Sequence, residues 1–235
     1  MTVDEIMAEL KAKGDDKIKN ILVKHGVKEP FFGVKVEYLK PIQKKVKKDY
    51  QLSKDLYATG NADAQYLAGL IADDNQMSPA DLQTWVDQAL SNNISEYTVP
   101  WVAAEGKHGF DMALEWINSN QTHITAAGWA TLANLVALKP DDELRLDALK
   151  ELTDRVVNTI HSSPDRVRSA MNIFIISAGS YVSALNAYAN EAAKKIGVVT
   201  VDKNGTSCRV PDAIEYIAKA QARGSLSKKK KTVKC

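Results

Sequence analysis

Apolar residues recur at helical intervals along almost the whole chain, and the segments they mark are short. Thr2 and Glu5 have capping-box spacing for a first helix ending at Gly14. Asp15 or Asp16 opens a second, with Ile18, Ile21, Leu22 and His25 on its inner side and Gly26 as its stop. Phe31–Lys48, FFGVKVEYLKPIQKKVKK, predicts an aromatic–glycine turn and then a helix with Val36, Leu39 and Val46 near helical spacing and Ile42 between them. Two short helices are expected over Ser53–Ala58 and Asp63–Ala72. Ser78-Pro79 is an N-cap followed by proline at the first helical position, before Leu82, Trp85, Val86 and Leu90. Ser95–Ala104, Gly109–Asn118 and Gln121–Ala137 continue the series. The strongest periodicity lies in Asp142–His161, through Leu146, Leu149, Leu152, Val156, Val157 and Ile160. Ser163-Pro164 caps and opens a helix with Val167, Met171, Phe174 and Ile175 facing in, and Tyr181–Ile196 follows.

The pattern changes once. Val198–Asp202 and Ser207–Val210 flank Lys203-Asn204-Gly205-Thr206, the signal of a small C-terminal β-hairpin at about 198–210. Pro211 then opens a last helix to Ala222. Helix pairs of roughly 40 residues joined by short turns predict an all-α superhelix of stacked hairpins. No sequence motif repeats, so the expectation rests on element length and order, and a compact α-bundle is the alternative. Residues 1–222 are expected to form one domain and 223–235 a basic, flexible tail.

Composition sharpens this. At 45% hydrophobic the chain can bury a sizeable core. Its net charge of +2 hides a partition. Between Asp55 and Leu138 stand ten carboxylates and a single cation, Lys107, while all six arginines follow residue 144. A nucleic-acid binder of this kind would grip with its ends, and its acidic middle would repel phosphates there. Two cysteines, Cys208 and Cys235, make no disulfide framework, which predicts a reducing cytoplasm. The N-terminus lacks the apolar region of a signal peptide. No apolar run approaches the ~20 residues that span a bilayer, so no membrane is expected.

Standard sites are sparse. His25, His108, His123 and His161 are scattered without metal-binding spacing, so neither metal nor cofactor is expected. Lys40, Lys44, Lys45, Lys47 and Lys48 crowd the helix after the aromatic turn, which suits a polyanion such as duplex DNA; an ordinary solvated helix is the plainer account. Glu96 lies near Pro100 and Trp101, where a carboxylate beside aromatic surface could stabilise a developing cation; a first-turn Glu favoured by the helix dipole is the plainer account. Trp129 shares a face with Thr125, and tryptophan there is more often core. Arg166 and Arg168 sit near a helix start, where the dipole does not favour them, and with Asn172 they suggest a phosphate or carboxylate partner; solvated arginines are the alternative.

The aromatic-Gly-Val turn leading into a basic helix with Pro41 resembles the N-terminal signature of the DNA alkylation repair family of bacterial HEAT-like proteins. The resemblance extends from about Gly26 to about residue 190. It implies a HEAT-like α-solenoid and a DNA glycosylase that removes N3- or N7-alkylpurines. It also implies two tryptophans, an aspartate one turn from the first, and an arginine on the next repeat. Those positions fall here near Ile94, Thr98, Ala127 or Gly128, and Ile173 or Phe174, so none of the four is restored. The expectation is a divergent DNA-binding monomer. Lys40, Lys44, Lys45, Arg166, Arg168 and Asn172 would touch DNA, and Glu96, Trp101 and Trp129 would stand where catalysis occurs. A protein-interaction scaffold that does no chemistry is the alternative.

Overall fold

Side-chain caps fix where six of the helices begin, five of them among the first six. In the computed structural model, which describes residues 1–202 and 210–235, there are thirteen α-helices and, among the described residues, no strand. Thr2 caps α1 (Val3–Ala12), Asp15 caps α2 (Asp16–Lys24) and Lys35 precedes α3 (Val36–Val46). Asp49 caps α4 (Tyr50–Ala58), Asn61 caps α5 (Ala62–Ile71) and Ser78, with Asp81, forms the capping box of α6 (Pro79–Gln88). Then come α7 (Val99–Glu105), α8 (Gly109–Trp116), α9 (Thr122–Leu138), α10 (Leu146–Thr159), α11 (Asp165–Tyr181), α12 (Asn186–Ile196) and α13 (Ala213–Ala222).

Packing turns this series into a solenoid. Each of α3, α5, α7, α9, α11 and α13 packs on the next of the row, while α4, α6, α8, α10 and α12 back it. Buried apolar side chains form two clusters, one reaching from Ile6 to Ala127 and one from Ala104 to Ile217, which meet around α7–α9. A core that runs along the stack, with no single centre, is the expected consequence of hairpins that bury their faces only against neighbours. Gly128 lets α9 close on the end of α8, since a Cβ there would lie 2.8 Å from the Ile117 nitrogen. No single helix among the described residues is long and apolar enough to cross a membrane.

Several local expectations shift. Residues 94–98 form a wider, π-type turn before α7. Pro100 explains it: without an N–H it cannot serve the Glu96 carbonyl, and the turn opens. Ser163 does not cap α11; its hydroxyl donates back to the Thr159 carbonyl at 2.9 Å. The expected 181–196 helix breaks at extended Val182, and α12 leaves α11 at 116°. In α2 the inner side is not closed, because Ile21 is 51% exposed. Of the expected hairpin, residues 203–209, with Cys208, lie outside the described residues, and 198–202 holds no strand.

Candidate nucleic-acid interface

The aromatic turn is built around a carboxylate. Asp63, second residue of α5, accepts hydrogen bonds from the backbone N–H groups of Phe32 (2.6 Å), Gly33 (3.1 Å) and Val34 (3.1 Å). Gly33 makes this possible: its φ is +81°, and a Cβ would lie 2.6 Å from the Asp15 carbonyl oxygen. Burial pushes the Asp63 carboxyl above its ordinary value, and the three donors only partly offset that. The turn fixes the entry of α3, whose Leu39 and Ile42 are buried while Lys44 and Lys45, and Lys47 and Lys48 just beyond its end, are exposed. Pro41 lies within α3, so the helix gives up one internal hydrogen bond there.

The 223–235 segment, expected as a flexible tail, instead lies against the body along the C-terminal ends of the row helices. Ser227 N–H donates to the Ser180 carbonyl of α11 at 2.8 Å, and Lys230 N–H to the Ala137 carbonyl of α9 at 2.8 Å. Lys229 Nζ reaches the Val136 carbonyl (2.9 Å) and Asp141 (2.8 Å). Val233 N–H donates to Glu105 at the end of α7 (2.9 Å). Lys234 pairs with Asp74, just beyond α5, at 2.5 Å, with side-chain exposures of only 9% and 1%. Lys48 also reaches Asp74 at 3.2 Å, and Lys40 Nζ donates to the Cys235 main-chain oxygen. The physical reason is electrostatic. Helix C-termini expose unpaired carbonyls and carry partial negative charge, and lysines satisfy both. Lys40, Gln43, Lys44, Lys47, Lys48 and Lys234 thus border a common cavity of about 740 Å³.

The structure does not gather the expected catalytic set. Glu96 is ion-paired with Arg166, with side-chain exposures of 12% and 30%, so one candidate's charge balances the other's. Trp101 is nearly buried, edge-on to Tyr66 with ring centroids 5.3 Å apart. Trp129 is fully buried against Phe174, at 5.4 Å, and is a core residue. Arg168 clamps a loop: its guanidinium donates to the carbonyls of Thr200 (2.8 Å), Ser163 (2.9 Å) and His161 (3.2 Å). Asn172 is buried and donates to the Pro211 carbonyl at 2.8 Å. These contacts account for Arg168 and Asn172 without a ligand. Sequence reasoning passed over Asp63, Asp74, Tyr66 and Asn93. Only for Asp63 was there a signal, a carboxylate at a helix start downstream of a turn whose amides need acceptors. Among the described residues no cluster of His, Cys, Asp and Glu could hold a metal ion.

Paired helices stacked in one row, with backing helices on one side, define a HEAT-like helical-repeat protein. The chain is similar over its full length to a solved structure from a new family of proteins related to the HEAT-like repeat DNA glycosylases with affinity for branched DNA structures. The TM-score is 0.92 and the identity 36%, with 100% of both chains covered. It is 31% identical over 229 residues to the uncharacterized proteins Lin0241 of Listeria innocua and Lmo0209 of Listeria monocytogenes, covering 95% of this chain and 99% of each relative. The family model described as DNA alkylation repair enzyme matches residues 6–217, and the chain belongs to that family.

Proposed function

We propose that this chain is a cytoplasmic DNA-binding monomer that prefers branched over linear duplex DNA and does not excise bases. One observation carries the reading: the outward lysines Lys44 and Lys45 of α3, and Lys47 and Lys48 just beyond it, stand beside the ordered basic segment that carries Lys234. Fixed cations in a group are what a phosphate backbone selects, through release of its counterions. The similar structure's affinity for branched DNA supports the preference. Lys40, Lys44 and Lys45 act as phosphate contacts. Arg166 is held by Glu96 and contributes less. The reading that bases are not excised is supported by the pairing of Glu96 with Arg166 and the burial of Trp129, which occupy two of the expected catalytic side chains.

The test is a fluorescence-anisotropy titration of a four-way junction and a linear duplex over a range of salt. Replacing Lys44 and Lys45 with Ala should lower the log–log salt slope by about 2. Undetectable binding to both DNAs at low salt would refute the reading. In parallel, alkylated DNA incubated with the protein should release no 7-methylguanine above background; release abolished by Glu96→Gln would restore Glu96 as a catalytic residue.

A further inference from the structure

A second cavity adjoins the lysine-bordered one. It holds about 230 Å³ and is lined by Tyr66, Tyr97 and Trp101, with Val36 and Leu39 on the apolar side and the Asp63 carboxyl, already engaged by three backbone amides, in its wall. The three rings form a cluster: Tyr66 is edge-on to Trp101, and Tyr97 is tilted against Trp101 at 6.0 Å. Tyr97 is 52% exposed, so the cluster opens at the surface. Asn93 also lines this cavity, and its Oδ1 is buried without a hydrogen-bond partner among the described residues. A buried amide oxygen with unused accepting capacity suits a ligand that brings an N–H. Cys235 borders both cavities, so the aromatic one and the lysine-rich one are neighbours across a single residue.

Three features therefore meet: aromatic surface, an unused acceptor, and a bank of cations. Lys40, Lys48 and Lys234 are held in position by the Cys235 main-chain oxygen and by Asp74, while Lys44 and Lys47 point outward. The aromatic cavity is smaller than the roughly 300–1,000 Å³ of sites for drug-sized ligands, which favours a single planar group. Stacking on aromatic side chains beside a cationic groove is how proteins hold unpaired nucleotides without reading their sequence. An acidic peptide would use the lysines but has no use for the rings or for Asn93. A purely apolar ligand would leave both Asn93 and the lysines unused.

We propose that the two cavities form one site for an unpaired nucleotide of DNA. Its base packs against Tyr97 and Trp101 with an exocyclic or ring N–H directed to Asn93, and its phosphates lie on Lys44 and Lys47. This rests on the DNA-binding reading and deepens it, since junctions and branches are where a duplex offers unstacked bases. The 225–235 segment is part of the site, because it supplies Lys234 and the residue between the cavities.

The experiment compares two fluorescein-labelled duplexes of equal length, one fully matched and one with a single extrahelical nucleotide, titrated by anisotropy at one salt concentration. The wild type should bind the bulged duplex about tenfold more tightly, within the range of one base–aromatic stack. Tyr97→Ala should bring the bulged duplex's affinity close to that of the matched one. A second measurement places 2-aminopurine at the extrahelical position: its fluorescence should be quenched on binding wild type and not on binding Tyr97→Ala. Equal affinity for the two duplexes, or undiminished preference and quenching with Tyr97→Ala, would overturn the site while leaving DNA binding intact. No binding to either duplex would overturn the DNA-binding reading and this site with it.

Discussion

Asp63→Ala tests whether one carboxylate organises the approach to α3. The substitution removes acceptors from three N–H groups, of which those of Gly33 and Val34 are buried. Each buried donor left unmade costs about 1–3 kcal/mol. The partly exposed Phe32 N–H can turn to water, so the total should be about 3–5 kcal/mol. For a chain of this size each kcal/mol lowers the melting temperature by about 2–4 °C, which places the fall at about 10 °C. Far-ultraviolet circular dichroism would follow the melt. Asp63→Asn keeps one oxygen but turns an NH₂ toward a donor, and it should cost about half as much. The pH dependence has a definite sign. Burial raises the folded-state pKa of Asp63, so the folded chain holds the proton more tightly than the unfolded one. That contribution is complete below the unfolded value, near about pH 4, and is lost as pH rises through the raised folded value. The stability gap between wild type and Asp63→Asn should therefore be widest in acid and narrow toward neutrality. Hydrogen exchange at Gly33 and Val34 should quicken in Asp63→Ala more than in α9. A melt within about 2 °C of wild type would refute the assigned role.

Gly33→Ala should lower stability by at least about 1–2 kcal/mol from its positive φ alone, with the contact to Asp15 adding to it; an unchanged urea midpoint would count against the turn geometry. Lys234→Met should cost about 1–3 kcal/mol, less than a fully orphaned buried ion because Lys48 still reaches Asp74, and it should increase proteolysis after residue 225; protection equal to wild type would mean the segment is not anchored there. Asp81 is subject to burial, which raises its carboxyl, but Lys54, Ser78 and Tyr50 prevail and hold it well below the usual range. Its stabilisation is therefore present above the unfolded value and lost as pH falls; Asp81→Asn should flatten part of the acid arm of the stability profile, and identical acid arms would exclude this.

The helices were legible because each carries its signal locally. Ser78-Pro79, and Thr2 with Glu5, announce their helix starts within four residues, and the structure has a capping box at both, with Asp81 as the partner of Ser78. The all-α class followed from the alternation of short helices and shorter turns, while the resemblance to the DNA alkylation repair family decided for a solenoid over a bundle. What stayed hidden depends on partners distant in sequence. Lys234 lies 160 residues from Asp74, and nothing in KKKKTVKC states that helix C-termini will receive it. Arg168 and Asn172 carry the side chains of an anion site, yet the carbonyls of Thr200 and Pro211 claim them. Composition reports which charges a segment brings; only the fold reports which of them are already matched.

That distinction changes the meaning of the acidic middle. Read along the chain, its carboxylates would oppose a phosphate backbone. In the fold, cations from both ends return to them. Lys48 and Lys54 come from the N-terminal side to Asp74 and Asp81, while Arg145, Arg166 and Lys234 come from the C-terminal side to Asp111, Glu96 and Asp74. Asp63 is occupied by backbone amides and Glu105 by the Thr232 hydroxyl and the Val233 amide. Opposite charges in contact present little field beyond a Debye length of about 8–10 Å. Four of the ten carboxylates of that stretch are thus ion-paired, and the repulsion expected from the linear charge count is reduced accordingly. Lys44 and Lys45 of α3, and Lys47 at its C-cap, remain exposed with no carboxylate partner among the described residues, so their charge faces outward. A chain with net charge near zero can in this way hold a polyanion, because part of its negative charge is paired internally while Lys44, Lys45 and Lys47 stay exposed together at the end of α3.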